Sequence, residues 1–599
     1  MSRMFSLMAG SSLLMASLMG CSDSSESRAD AITLFKAKEV VSLSSQQGNS
    51  VAVRGDKIIG VGDFKDLQAQ FSSQNILVNT LFEQDVLVPG FINQHDHPWL
   101  AALTMGSQVI SFEDWQLPHQ LFPKAVNQEQ YLARLKTLVG QHENKDELFL
   151  SWGYHELWHG KLTREMLDEI SPDIPIAIWQ RSCHEFIINS KGLELFGIDQ
   201  ALIDGFDEHQ QAQINLAEGH FWEAGMLALS GSLFKHLIKP KQYIDSLKMV
   251  QNYWHNAGST LVVEPGGLVN KSLSIMQNHV FSPPSSAFHM DYIADGKTMA
   301  NQHMDTLLEE TEELGNWGEG MSRFYPKQVK LFSDGAVFSQ LMQMSEGYLD
   351  GHHGEWIMQP DLFKQAFAKY WDAGYQIHVH QNGDGGLDLV LDTLQKNMQR
   401  NPRQDHRTVV VHFSYSRLDQ VAKIKELGAI VSVNPYYPVA LADMYSEVGV
   451  GPERSQSMVR LGDLQDAGLS YSLHSDMPMA PGQPLYLMWC AVNRLTINGN
   501  VVAPEQKISP LQALRAVTID AAYSMKLENQ LGSIENGKFA NITVLKQNPL
   551  TVKPITIKDI EVVATIHEGR VIPVQKGEYE KTTTWELIPV YWDLLMAKL

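Results

Sequence analysis

Residues 85–99 restrict the fold more than any other stretch: Asp-Val-Leu-Val-Pro-Gly-Phe-Ile-Asn-Gln-His95-Asp96-His97-Pro-Trp. An apolar run (Val86, Leu87, Val88) breaks at Pro89-Gly90, resumes at Phe91 and Ile92, and ends in two histidines one residue apart. This reads as a buried strand, 86–92, with the histidines at its C-terminal end. Strand residues two apart project to the same side, so both imidazoles can reach one ion. A barrel of parallel strands keeps its chemistry at those ends, which leads to the expectation of a metal site completed by later strands. With 22 histidines in 599 residues, chance alone supplies about one His-x-His triplet. A second does occur, at His378 and His380. The pair therefore decides nothing without partners.

The remaining text supplies an order for such partners. Strand-like runs at 148–152, 174–179, 260–264, 328–332, 375–380, 408–412, 429–433 and 469–474 alternate with helix-like segments such as 362–372 and 386–398, as an α/β barrel over 89–525 requires. These runs outnumber the eight strands of one barrel, so some belong to an insertion at about 100–250. Before the barrel, 51–53 and 58–62 flank a turn and read as a hairpin. Matching β-rich text follows it, at 537–545, 562–566 and 568–572. The two ends, 32–88 and 526–584, are expected to build one small β-domain, and 585–599 a helix docked on the body.

Three of the later strands end in a metal-competent residue: His380, His412 and Asp476. A fourth holds Lys330 in an otherwise apolar run. Desolvating an ammonium is costly, so a buried lysine has a partner or is neutral, and a neutral amine can capture carbon dioxide as an anionic carbamate. Singly, each residue has a plain explanation: a packed histidine, a salt-bridged lysine, a turn-forming aspartate. Their recurrence in or at the ends of strands favours a metal site. His155-Glu156-Leu-Trp-His159 matches the zinc-protease pattern, but Gly153 and Gly160 leave too few residues for the helix it needs. Arg494 is read as bracing the loop after the Asp476 strand or as an anchor for a substrate carboxylate.

The net charge of -21 disfavours nucleic acid and anionic membrane surfaces as partners. Residues 1–21 have a basic start and a short apolar run, and end in Leu18-Met19-Gly20-Cys21, similar to a bacterial lipobox. With 22–31 as a flexible linker, the expectation is a protein of the bacterial envelope, on the periplasmic side, that meets the membrane only through a lipid on Cys21. Cys183 and Cys490 then remain, read as buried thiols with a disulfide left open.

The text from Val88-Pro-Gly-Phe-Ile-Asn-Gln-His-Asp-His97 through His184 with 189–198, 329–335, 378–384, 411–412, 474–478 and 511–518 to 531–538 resembles the amidohydrolase superfamily. Within it, the match is to amidohydrolase family 3, which includes N-substituted formamide deformylase-like metal-dependent hydrolases. The family's usual Gly-Lys-x-Ala-Asp ends here in Asn541. The resemblance implies an α/β fold: a distorted TIM (β/α)8 barrel with a composite β-sandwich made from both chain ends. It implies divalent metal, two zinc ions in the fullest form. His95, His97 and Asp476 would hold one ion and His380 and His412 the other, bridged by an N-carboxylated Lys330. Glu264 is the alternative bridge and His378 the alternative to His380.

The implied reaction is hydrolysis of a C–N bond in a small molecule, amide, formamide or carbamate-like. Activated water attacks the carbonyl and Asp476 carries a proton to the departing amine. His184 is either substrate-polarising or structural. Two alternatives stand beside this reading: a mononuclear deaminase, disfavoured because no glutamate follows His380, and a non-catalytic envelope binding or regulatory lipoprotein. Homo-oligomerisation is left open. Loops 222–225, 351–354 and 435–438 are expected to set specificity.

Overall fold

The computed structural model describes residues 31–267, 270–575, 579 and 581–597. The segment read as an export signal, Cys21 and all of the expected linker but Ala31 lie outside the described residues, among which no helix is long and apolar enough to cross a membrane.

Eight parallel strands form the central sheet, hydrogen-bonded in chain order. They are Phe91–Asn93, Ser259–Pro265, His289–Asp295, Ser322–Phe332, Gln376–Gln381, Val409–His412, Ile430–Val433 and Tyr471–Leu473. The sheet curls until its edges meet. The Asp476 amide donates to the His95 carbonyl at 3.0 Å and the His97 amide to the Met477 carbonyl at 3.2 Å. Gln94 Nε2 reaches the Leu473 carbonyl at 2.9 Å. At the opposite mouth, the Met525 and Ser524 carbonyls accept from Gln328 and Gln376, so the short helix Ile519–Ser524 plugs the N-terminal end of the strands.

Two strand readings are corrected. Val86–Val88 is not barrel: it ends the long strand Ile76–Pro89, which pairs with Ile542–Leu545 in another sheet. Only Phe91–Asn93 enters the barrel. Pro89 has no N–H to continue a ladder, and a Cβ on Gly90 would come within 2.3 Å of Thr260 Oγ1, so the chain changes sheet at the one residue that fits. The strand His289–Asp295 was missing from the sequence reading. Its text, His-Met-Asp-Tyr-Ile-Ala-Asp, is half polar, and its carboxylates are used locally. Asp291 pairs with Arg323 at 3.0 Å and Asp295 caps the following helix through the Thr298 amide.

Strands from both chain ends share one seven-stranded sheet in the order Arg570–Pro573, Val562–His567, Ile542–Leu545, Ile76–Pro89, Ile32–Val40, Ser50–Arg54, Lys57–Gly62. All seven strands are joined edge to edge by hydrogen bonds. Ile32–Val40 slips register twice against Ile76–Pro89, and such irregularities bend a strand. Val51, Val53 and Ile58 share one core with Ile542, Val544 and Ile566. Residues 108–222 hold a further six-stranded sheet that includes Phe149–Tyr154 and Ile176–Gln180. The helix Leu587–Met596 buries Leu587 and Val590. Cys183 and Cys490 are unpaired buried thiols.

Arg494 braces. Fully buried, it donates to the carbonyls of Val502, Val459 and Met458, each at 2.9 Å. Arg494→Ala strands three buried carbonyls and is expected to lower stability by about 3–5 kcal/mol, with Arg494→Lys intermediate. Urea unfolding checks this, and a midpoint equal to wild type would return Arg494 to the substrate-anchor reading.

Candidate metal centre

The C-terminal strand ends gather the expected residues at one place. Asp476 Oδ1 lies 3.0 Å from His97 Nε2 and 3.3 Å from His95 Nε2, while its Oδ2 lies 3.6 Å from His412 Nδ1. His95, His412 and Asp476 each offer a ligating atom within 4.8 Å of the others. This set draws from both expected groups, His95 and Asp476 from one and His412 from the other. His97 Nδ1 donates to Glu264 at 2.7 Å. The His380 ring stands 4.5 Å from His412, and its Nε2 accepts from the Asn382 amide at 2.9 Å. Lys330 is buried on the adjoining strand, its Nζ 5.3 Å from the centre of the Phe332 ring. His378 sits one step lower on the strand, against Gln328 at 3.2 Å.

The electrostatics suit a cation. Burial, with help from Lys330, holds His95 and His380 well below the usual imidazole range. His412 and His474 are depressed in the same way, so these rings keep the lone pairs a metal needs. Burial also pushes the Lys330 ammonium down to about 7, against the pull of Asp476 and Glu264. His97 is the exception: burial opposes its charge, but Glu264 and Asp476 outweigh burial and raise it to about 10. Glu264 is fully buried and its Oε2 has no hydrogen-bond partner. An orphaned carboxylate oxygen beside converging nitrogen donors is what a missing cation leaves behind, and the N and O donor set fits zinc.

The backbone is strained here. His412, Phe413 and Asp476 have φ of 76°, 52° and 55°, and Glu223 has 41°. Each left-handed non-glycine residue costs of order 1–3 kcal/mol and persists where surroundings over-determine it. At Asp476 those surroundings are visible. The buried Arg181 donates to the carbonyls of Pro478 at 3.0 Å and Met479 at 2.7 Å while pairing with Glu113 at 2.8 Å.

Sequence reading missed several participants. His474 stacks on His95 at 4.6 Å and bridges His412 (3.1 Å) and Ser432 (2.8 Å); its signal was the His474-Ser-Asp476 spacing. Glu223 accepts from His184 Nδ1 at 2.7 Å and from the Ala336 amide at 2.8 Å; the stretch 222–225, expected to be a loop, is the end of the strand His220–Trp222 and the first turn of the helix Glu223–Ala228. Asp334 accepts from Ser333 Oγ and the amides of Gln343, Asn382 and Gly383, which sets Asn382 against His380. His155 and His159 are structural: the helix is one turn, Glu156–His159, and His159 bonds the His155 amide and the Ala125 carbonyl.

A family model described as "Amidohydrolase family" matches residues 83–573. The chain belongs to the amidohydrolase family. This amidohydrolase is 24% identical to Protein LONG AFTER FAR-RED 3 of Arabidopsis thaliana over 84% of each chain. It is 22% identical to the N-substituted formamide deformylase of Arthrobacter pascens over 68% of this chain and 75% of that one. An uncharacterized metal-dependent hydrolase from Pyrococcus horikoshii shares the fold, with a TM-score of 0.66 and 20% identity over 87% of this chain and 99% of that chain.

In this amidohydrolase the two ligand-bearing strand ends are joined through Asp96, which accepts from Asn93 Nδ2 at 2.7 Å, the Met477 amide at 2.8 Å and Ser475 Oγ. Asp96→Ala leaves these donors unmet at about 1–3 kcal/mol each. The expected result is at least about 3 kcal/mol lost in urea unfolding, together with loss of bound zinc in metal analysis. Wild-type values in both measurements would remove Asp96 from this role.

Proposed function

We propose that the protein is a metal-dependent hydrolase that cleaves a C–N bond, amide, formamide or carbamate-like, in a small molecule. The observation that supports this most is the convergence of His95, His412 and Asp476 on one point from three separate strand ends. The deformylase and hydrolase named above point the same way. His95, His97 and Asp476 would hold one zinc ion, and His380 and His412 a second. Lys330 would bridge them as its carbamate; its depressed pKa supplies the neutral amine that carbon dioxide requires. Glu264, with its free oxygen, is the alternative bridge. Bound cations would supply Lewis acidity, acidifying water and polarising the substrate carbonyl.

The chain's own groups do the rest. Asp476 faces the histidine cluster with both oxygens. It accepts the proton of the attacking water and returns it to the amine as the C–N bond breaks. His184, held through Nδ1 by Glu223, presents Nε2 to the carbonyl oxygen. Burial opposes its charge, but Glu223 raises its pKa, which favours a proton donor to a developing oxyanion. The Cys21 lipid anchor, with the enzyme on the periplasmic side of the envelope, belongs to this proposal on sequence grounds.

The test is a hydrolysis screen of N-acyl, N-formyl and carbamate compounds with the zinc-loaded protein. On any substrate found, Asp476→Asn is expected to lower kcat about 10²–10⁴-fold, and His184→Gln about 10²-fold or more. A substrate whose turnover is indifferent to Asp476→Asn would refute this mechanism.

A further inference from the structure

A second cluster of metal-competent side chains lies at the other end of the barrel, where the central sheet meets the seven-stranded sheet. His289 opens the strand His289–Asp295. His567 ends the strand Val562–His567, and Glu568 begins the turn that follows. One comes from the barrel and two from the β-domain, 278 and 279 residues further along the chain. Each offers a ligand atom within 4.8 Å of the other two. His289 Nε2 lies 2.9 Å from Glu568 Oε1, and the two imidazole centres are 5.3 Å apart.

His567 is the observation that calls for a ligand. Its side chain is 0% exposed, yet among the described residues neither ring nitrogen has a hydrogen-bond partner. His289 Nδ1 is likewise buried and unpartnered. A neutral imidazole always presents one donor and one acceptor, and a native interior rarely leaves both unmet. His255 does not relieve His567, because its Nε2 is 3.1 Å from Thr565 Oγ1. The backbone also holds Glu568 in an unusual pose. Its φ is 50°, and its amide donates to Asn541 Oδ1 at 2.9 Å. The Glu568 backbone is thus held beside the cluster by Asn541, while its carboxylate meets His289. A cavity of about 230 Å³, lined in part by His289, Asn541 and Glu568, opens onto the site and leaves room for an ion and a water.

We propose that His289, His567 and Glu568 form a structural binding site for a divalent transition metal of the zinc class, which staples the barrel to the β-domain. Two nitrogens and one carboxylate oxygen with an open fourth position suit zinc. Donors about 2.1 Å from one tetrahedral ion lie about 3.4 Å apart, so ligand atoms at the 4.8 Å limit would close by about 1.4 Å on binding. The carboxylate and a neutral His567 provide the charge and the lone pair. Arg570, which donates to the Ser286 carbonyl, and Arg323, which lines the same cavity and pairs with Asp291, are nearby cations that the ion must tolerate.

The site is separate from the proposed hydrolytic centre, and zinc alone is the probe. The full chain is stripped with chelator, dialysed against Zn²⁺ and measured for bound metal and for thermal unfolding. Protein carrying His95→Ala, His97→Ala, His380→Ala and His412→Ala, which removes the histidines of both proposed hydrolytic ions, is expected to retain one equivalent of zinc that raises its Tm. Adding Glu568→Gln or His289→Gln should abolish both the equivalent and the Tm rise. Either of these two on the wild-type background should remove one equivalent and leave hydrolysis of any substrate found in the screen intact. The side-chain amides keep hydrogen-bonding shape, and circular dichroism of the stripped proteins shows whether each is folded. Wild-type stoichiometry in both single variants, or no residual equivalent in the variant lacking His95, His97, His380 and His412, would overturn the site and leave a hydrogen-bonded histidine cluster. Absence of hydrolase activity would bear only on the other centre.

Discussion

One buried carboxylate holds the hydrolytic end of this molecule together. Asp96 has no exposure to solvent, and burial pushes its pKa up to about 6 even though Ser475, Met477 and Asn93 all donate to it. A charge in such a place is tolerated only when the protein replaces its water. Here the replacements come from both edges of one sheet: Asn93 from the first strand, Ser475 and Met477 from the segment after the last. Asp96 is therefore solvated only when the sheet has curled round on itself. The same closure fixes His95 and His97 on either side of Asp96, and Asp476 between its two partners. Folding and assembly of the centre are one event.

The insertion buttresses that seam. Arg181 follows the strand Ile176–Gln180 of the six-stranded sheet, yet it donates to the carbonyls of Pro478 and Met479. Its guanidinium also lies 4.7 Å from the ring centre of Trp152 and 4.6 Å from that of Phe338. A planar cation stacked on aromatic faces loses little on desolvation, so it can stay buried as a rigid strut. The left-handed backbone at Asp476 is held from two sides, by the His95 carbonyl and by this strut through the two residues beyond. The start of the helix Glu223–Ala228, read from the sequence as a specificity loop, performs a comparable service for His184 through Glu223.

What could be read from the text follows from where the information lies. His95, His97, His380, His412 and Asp476 were legible because strand ends are marked by apolar runs, and a ligand-type residue at such an end stands out. Lys330 was legible because a cation inside an apolar run contradicts its surroundings. Glu223, Asp334 and Arg181 were not, because each acts through a partner more than thirty residues away and carries no local anomaly, and Asn382, two residues from His380, owes its pose to the distant Asp334. The strand His289–Asp295 failed for the opposite reason: its polar residues have local uses that erase the alternation a strand displays. The pairing of both chain ends in one sheet was visible in composition, whereas its bending depends on register slips no residue type announces.

Lys330 shows why the centre has to be considered as a whole. As an ammonium it lowers the pKa of His95, His380, His412 and His474, which frees lone pairs but would also repel any cation they bind. As a neutral amine it removes that repulsion. As the carbamate proposed above it would reverse sign, adding an anion among rings that are already neutral. Burial, by weakening the ammonium, favours the neutral amine over the charged form. An arginine at this position could not follow that course, because its guanidinium does not deprotonate in a protein interior.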